Sequence, residues 1–189
     1  MDAPKKRLKL ETALYPAPVV LVSSIGDDGR PNIITIAWAG VVSSEPPMVS
    51  ISIRPHRFSH KLISAANDFV INIPIEEQIR KADFCGTVSG SKSDKFALAG
   101  FNAVKADEVK SPLIRECPVN IECKVKKRFN LGTHDIFIAE VVAVHADEKI
   151  LDENGGIDYS LARPLVYNQG EYWGLRERVG RYGFTKGVL

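Results

Sequence analysis

Hydrophobic and polar positions alternate most regularly at residues 49–54, where Val49, Ile51 and Ile53 share one side of a strand and Ser50, Ser52 and Arg54 the other. Pro55 ends that strand, and the apolar spacing from Ser59 to Ala66 changes to the period of a helix. Upstream, residues 18–24 (PVVLVSS) read as a buried strand, Gly26-Asp27-Asp28-Gly29 as a tight turn, and residues 31–38 as the returning strand. Residues 40–47 read as a loop. Downstream, residues 69–73 form another buried strand closed by Pro74, and residues 75–85 read as a helix with Ile75, Ile79, Ala82 and Phe84 near one face. A polar, glycine-containing loop follows from Gly86 to Phe96. Residues 119–129 alternate cleanly, whereas residues 136–144 are apolar on both sides, as a central strand of a two-sided sheet would be. The last forty or so residues read as loop, rich in aromatics. This string predicts a mainly β fold, a barrel with peripheral helices, in one domain spanning 1–189.

Composition changes that picture little. At 189 residues the chain can bury one good core and hardly two. A net charge of +2 is too small for a duplex-binding surface, and the short basic runs at Lys5–Arg7 and Lys124–Arg128 read as solvated faces. No secretory leader or membrane-length apolar run is apparent. Cys85, Cys117 and Cys123 form no CxxC pair, which fits reduced thiols in a cytoplasmic protein; Cys123 falls in phase with the core positions of its strand.

Candidate chemistry centres on anion binding. A hydroxyl- and arginine-lined strand face leads into a helix N-terminus beside Arg57 and Ser59, where free N–H groups and the helix dipole favour a phosphate. The loop carrying Ser89, Gly90, Ser91 and Lys95 offers further hydroxyls, amides and cations. His56 and His60 stand four apart, but Arg54 and Arg57 beside them would repel a metal ion. The glycine-rich dinucleotide fingerprint, the P-loop and HExxH are all missing. With an apolar strand ending in Trp38 and the late aromatics, these segments suit a ligand with a phosphate at one end and a flat ring at the other.

Several motifs in order resemble one known family: PxPVVLVSS, NIITIAW at 32–38, SISIRPHRFS at 50–59, CGxxSG…DKF at 85–96, Gly-x-His at 132–134, and PLVYNxGxYW at 164–173. The chain resembles the flavin reductase-like, FMN-binding split-barrel proteins, and within them the flavoredoxin group. That resemblance implies a six-stranded Greek-key split barrel forming a homodimer, with FMN near the subunit interface. It places Asn32, Thr35, Ala37 and Trp38 along the isoalloxazine ring, largely through backbone groups. Ser50, Ser52 and Arg54 would follow the ribityl chain. Arg57, Ser59, Ser89, Ser91 and Lys95 are the phosphate candidates. His134 aligns with the histidine of a Gly-Asp-His motif that positions nicotinamide donors, although here Thr133 replaces the aspartate.

The implied function is electron transfer from NAD(P)H, or from a redox partner protein, through FMN. The reading from another class is a barrel that binds nucleic acid or another phosphorylated ligand without catalysis. The near-neutral charge argues against that alternative.

Overall fold

The computed structural model describes residues 3–186. Along the chain run β1 (Ala17–Pro18), β2 (Val20–Ile25), β3 (Pro31–Ile36), β4 (Ala39–Ser44), β5 (Pro47–Ile53), α1 (Phe58–Ala66) and β6 (Asp68–Ile73). A 3-10 turn at Glu76–Gln78 then leads into α2 (Ile79–Thr87) and α3 (Lys95–Ala99). The short β7 (Ala103–Val104) and β8 (Leu113–Ile114) precede the long β9 (Val119–Asn130) and β10 (Asp135–Ala146). The chain continues through α4 (Tyr159–Ala162), β11 (Leu165–Asn168) and β12 (Glu171–Gly174).

Seven strands pair in the order β3-β2-β6-β9-β10-β5-β4, every neighbour antiparallel. The outermost strands of that order, β3 and β4, are joined through Ala37 and Trp38 alone. So short a link forces the sheet to curl until its two edges meet, which is the split barrel; full closure would leave no free edge. The Trp38 carbonyl, at the corner, accepts the Ser52 amide at 2.9 Å.

The barrel interior follows from the period-two pattern. Val20 and Val22, Ile34 and Ile36, Val49, Ile51 and Ile53, Phe69 and Ile71, and Phe137 form one core with Ile63 of α1. The other faces of β2 and β3, through Val19, Leu21 and Ile33, pack under α2 and α3 with Ala82, Cys85, Phe96 and Ala99. Covering on both sides explains why β2 reads as a continuous apolar run. The turn between β2 and β3 forms as its residues require: Gly29 has φ +76° and the Asp28 carboxylate accepts the Arg30 amide at 3.1 Å.

Several local expectations change. Residues 40–47 are mostly strand: β4 pairs with β5 through a register shift between Val41 and Ser43, and that irregularity hides its alternation. This adds a strand to the six expected. The buried side of α2 carries Ala82 and Cys85, while Ile79 is exposed, because the helix begins only at Ile79 and Cys85, not Phe84, shares the side of Ala82. Part of the 86–96 loop is helical, since Asp94 accepts the Ala97 amide at 3.1 Å and caps α3. The C-terminal region holds a hairpin, β11–β12, that also pairs with β1. On β10, Phe137 and Ala139 are buried inward, but Ile136 and Ile138 opposite are only half-buried.

Lys124 pairs with Glu108 at 3.4 Å and Lys126 with Glu140 at 2.6 Å, so much of the basic run on β9 is locally neutralised. Among the described residues no helix is long and apolar enough to cross a membrane.

Candidate functional site

The barrel corner at Ala37–Trp38 opens into a cleft of about 380 Å³ lined by residues 34–38, Ser52, Ile53, Arg54, Arg57, His134 and Tyr167. A wider groove of about 850 Å³ shares Ala37, Trp38, Ser52, Arg54 and His134 with it and adds Ser50, Leu131 and the N-terminal arm from Glu11 to Leu14. The fold thus gathers Thr35, Ala37, Trp38, Ser50, Ser52, Arg54, Arg57 and His134 around one continuous opening. The strand alternation accomplishes this: with Ile51 and Ile53 sealed in the barrel, Ser50, Ser52 and Arg54 must face outward.

Thr35 lines the cleft with its hydroxyl already engaged, Oγ1 donating to the Ala82 carbonyl at 2.5 Å. The rings of Trp38 and His134 meet edge-on with centroids 4.7 Å apart. Burial lowers the His134 pKa, and the charges of Arg54 and His56 push the same way, which keeps the imidazole neutral at neutral pH.

Behind the cleft, Asn32 and Ser59 are buried and joined, with Asn32 Nδ2 donating to Ser59 Oγ at 2.7 Å. Asn32 Oδ1 is buried without a partner. Lys95 is only 3% exposed and donates to the Cys85 carbonyl at 2.7 Å. Burial pushes its pKa down to about 8, the Cys85 thiol opposing and the nearby Arg57 adding to the shift. Among the described residues neither Arg57 nor Lys95 forms a salt bridge. Arg57 is also the N-cap of α1 and supplies no side-chain cap, leaving the first amides of the helix available. Two neighbouring cations and an uncapped helix start make a positive corner lacking a counter-charge.

Ser89 and Ser91 stand apart from the cleft. Both are exposed, their hydroxyls 2.9 Å from each other, and Ser91 lines a different cavity. His60 is occupied elsewhere, with Nε2 2.8 Å from Asp135 and its ring edge-on to Phe137. The three cysteines are buried and free; burial raises Cys85 to about 11, Cys123 to about 12, and Cys117 further, so none is a thiolate at neutral pH.

Tyr167 reads from the sequence as one of the late aromatics and as part of the segment at 164–173, without a place in the site. It reaches the cleft from β11, which pairs with β1 at Ala17, and its ring is flanked by Tyr15 at 5.9 Å and Tyr172 at 6.4 Å. Its signal was the two-residue step from the buried Leu165, visible only once residues 165–168 are known to be a strand. The arm at 11–14 carried no signal at all.

Residues 12–176 match the family of the flavin reductase like domain. The chain belongs to that family. Its structure is similar to flavoredoxin of Desulfovibrio vulgaris (Miyazaki F), with 34% identity and a TM-score of 0.91 over 97% of this chain and 100% of that one. It is also similar to a flavoredoxin from Methanosarcina acetivorans, at 27% identity and a TM-score of 0.88 over 98% and 100%. An uncharacterised protein of Archaeoglobus fulgidus is 32% identical over 146 residues, 77% of this chain and 81% of its own. The flavin reductase-like reading and the split barrel thereby stand together.

Proposed function

We propose that this protein binds FMN in the cleft and passes electrons through it, from a nicotinamide dinucleotide or from a redox protein. The observation that carries the reading is the uncompensated positive corner at Arg57 and Lys95. A phosphate monoester bears close to two negative charges at neutral pH, which these two cations match. Behind that corner, Asn32 Oδ1 is buried without a hydrogen-bond partner. The residues present therefore fit FMN: a cationic end, a hydroxyl-lined strand through Ser50 and Ser52, and a backbone-lined slot at residues 35–38. FMN, when bound, supplies the redox chemistry.

The chain's own groups bind and orient. Arg57, Lys95, Ser59 and the α1 amides fix the phosphate end, with Ser89 and Ser91 in reach only after their loop rearranges. Asn32, Thr35, Ala37 and Trp38 fix the ring through backbone and amide groups. Arg54 follows the linking chain. Neutral His134, braced on Trp38, positions a donor at the cleft mouth, and hydride transfer itself requires no acid or base from the protein. His134→Ala should lower NAD(P)H-driven turnover on the order of tenfold while leaving flavin content unchanged. Unchanged turnover would remove His134 from the donor site.

The Lys95 environment gives a pH prediction. Lys95 is charged below about 8 and loses its proton above that value. A bound phosphate stabilises the charged form, so binding at higher pH requires proton uptake. FMN affinity measured from about pH 7 to 9.5 should fall as pH rises past 8, and a flat profile would exclude Lys95 as a phosphate partner.

The proposed assembly is a homodimer. Val41 is 80% exposed, Leu131 64% and Phe129 48%, apolar surface around the β4 edge and the β9–β10 turn that a second copy would cover. Light scattering should give twice the 20.8 kDa chain mass; a monomer would contradict this.

A further inference from the structure

Two walls of the cleft, the start of α1 and the β9–β10 turn, are tied together by a chain of hydrogen bonds outside the cleft itself. On β10, Asp135 falls in phase with the buried Phe137 and Ala139, so its side chain turns toward the barrel while its neighbour His134 turns out to the cleft. A carboxylate only 7% exposed at the end of a barrel needs partners. His60 of α1 supplies one, its Nε2 standing 2.8 Å from Asp135 Oδ2, and Asn130 Nδ2 donates to Oδ1 at 2.7 Å. These two bonds hold the Asp135 pKa below the usual carboxylate range, and Arg128, with Nε at 3.8 Å, adds to them. An ionised carboxylate can only accept, so Nε2 carries the hydrogen and donates it.

The chain of bonds continues into the turn. Asn130 Oδ1 accepts the Gly132 amide at 3.2 Å, the Leu131 amide donates to the His134 carbonyl at 2.8 Å, and the Thr133 hydroxyl lies 2.9 Å from His134 Nδ1. Leu131, Gly132 and Thr133 are all exposed, so core packing does not hold this turn; Asn130 and Asp135 brace it from below. At the other end, the start of α1 sends Arg57 into the cleft, Ser59 to Asn32 and His60 to Asp135. Arg128 adds a second tie, donating to Ser64 of α1 at 3.0 Å.

We propose that His60 and Asp135 are positioning residues that couple the phosphate-binding start of α1 to the turn carrying His134, so that an anion held at Arg57 sets the orientation of the imidazole facing the donor. This rests on the flavin reading above and on His134 at the donor site. Neither His60 nor Asp135 lines the cleft. An anion gripped by Arg57 and the first amides of α1 restrains that helix end. His60, in the same turn of helix, carries the restraint to Asp135, and Asp135 carries it to Asn130 and Gly132. Donor affinity then depends on the flavin phosphate, and by linkage phosphate affinity depends on the donor.

The test compares His60→Leu, which removes the N–H at similar volume, with His60→Gln, which keeps an N–H at comparable reach. In the flavin-free protein, the NMR signals of the His134 imidazole are followed as inorganic phosphate is added, with the Arg57 side chain reporting occupancy. Phosphate should shift His134 in wild type and in His60→Gln, and about threefold less in His60→Leu. With FMN bound, His60→Leu should raise the NAD(P)H KM about tenfold while kcat and FMN affinity stay within about twofold, and His60→Gln should restore the KM. Asp135→Asn should repeat the KM change from the other side of the pair, which separates the coupling from a packing fault at position 60. Equal His134 shifts in wild type and His60→Leu would overturn the proposal. So would an unchanged KM, or a kcat that falls in step with flavin content at constant KM, the mark of a purely structural bond. A wild type that binds FMN but oxidises neither nicotinamide would remove the donor site at His134, and the proposal with it. An Arg57 signal unmoved by phosphate would count against the flavin reading itself, and the coupling would fall too.

Discussion

Replacing Glu122 with alanine should cost about 3–5 kcal/mol of folding stability, the range seen when one member of a buried, hydrogen-bonded charge arrangement is removed. Glu122 is fully buried on β9. Its Oε1 accepts the Asp107 amide at 2.9 Å and lies 2.6 Å from His145 Nε2, and its Oε2 accepts the amides of Glu108 and Val109 at 2.7 and 3.1 Å. One carboxylate thus holds a whole loop against the sheet. Alanine would strand three amides and a histidine. Burial alone would raise the Glu122 pKa, but the Asp107 amide, the His145 ring and the Glu108 amide outweigh it and hold it below the usual range. The carboxylate therefore stabilises the fold above about pH 4.5, its ordinary value, and this contribution disappears as pH falls through the lowered one. Denaturant melts of wild type and Glu122→Ala should differ by this amount at neutral pH, and the difference should narrow on acidification. A difference under 1 kcal/mol, about the worth of an exposed pair, would show the loop is held by other contacts. Asp107 and His145 also approach Glu122 closely enough for a metal-like cluster, but four hydrogen bonds already satisfy the buried carboxylate.

Arg57→Ala should weaken FMN binding about ten- to a hundredfold, since charge-assisted hydrogen bonds contribute roughly 1.5–3 kcal/mol. Arg57 stands at the start of α1, facing the cleft, with no acidic partner among the described residues to lose. The substitution should leave the melting transition almost unchanged. It would even relieve Lys95, whose pKa the Arg57 charge helps to depress. Binding is read by equilibrium dialysis against FMN. Full retention of flavin by the variant would remove Arg57 from the phosphate site.

Much of this cleft was legible before the structure. The alternation at residues 49–54 set which side chains face outward, because one side of the strand is so clearly apolar. The turn at 26–29 and the switch to helical period after Pro55 then placed Arg57 and Ser59 at a helix start. What escaped the reading was set by tertiary geometry. The β4 strand hid behind a bulge, and Tyr167 needed the pairing of β11 with β1. Lys95 was visible as a cation in a polar loop, but its burial beneath Cys85 was not, since lysine is rarely enclosed. Ser89 and Ser91 share that loop, yet the helical cap at Asp94 turns the chain so that only Lys95 is buried. The Gly-x-His segment puts His134 on the cleft wall, where burial first, and then the charges of Arg54 and His56, lower its pKa.

The account stands most directly on whether the cleft holds FMN. The decisive measurement is the absorbance spectrum of the purified, dialysed protein before and after adding FMN and removing the excess. Retained bands near ~450 nm, the signature of the cofactor's own chromophore, are the predicted result. A protein that stays colourless after FMN is added and removed would contradict the central claim.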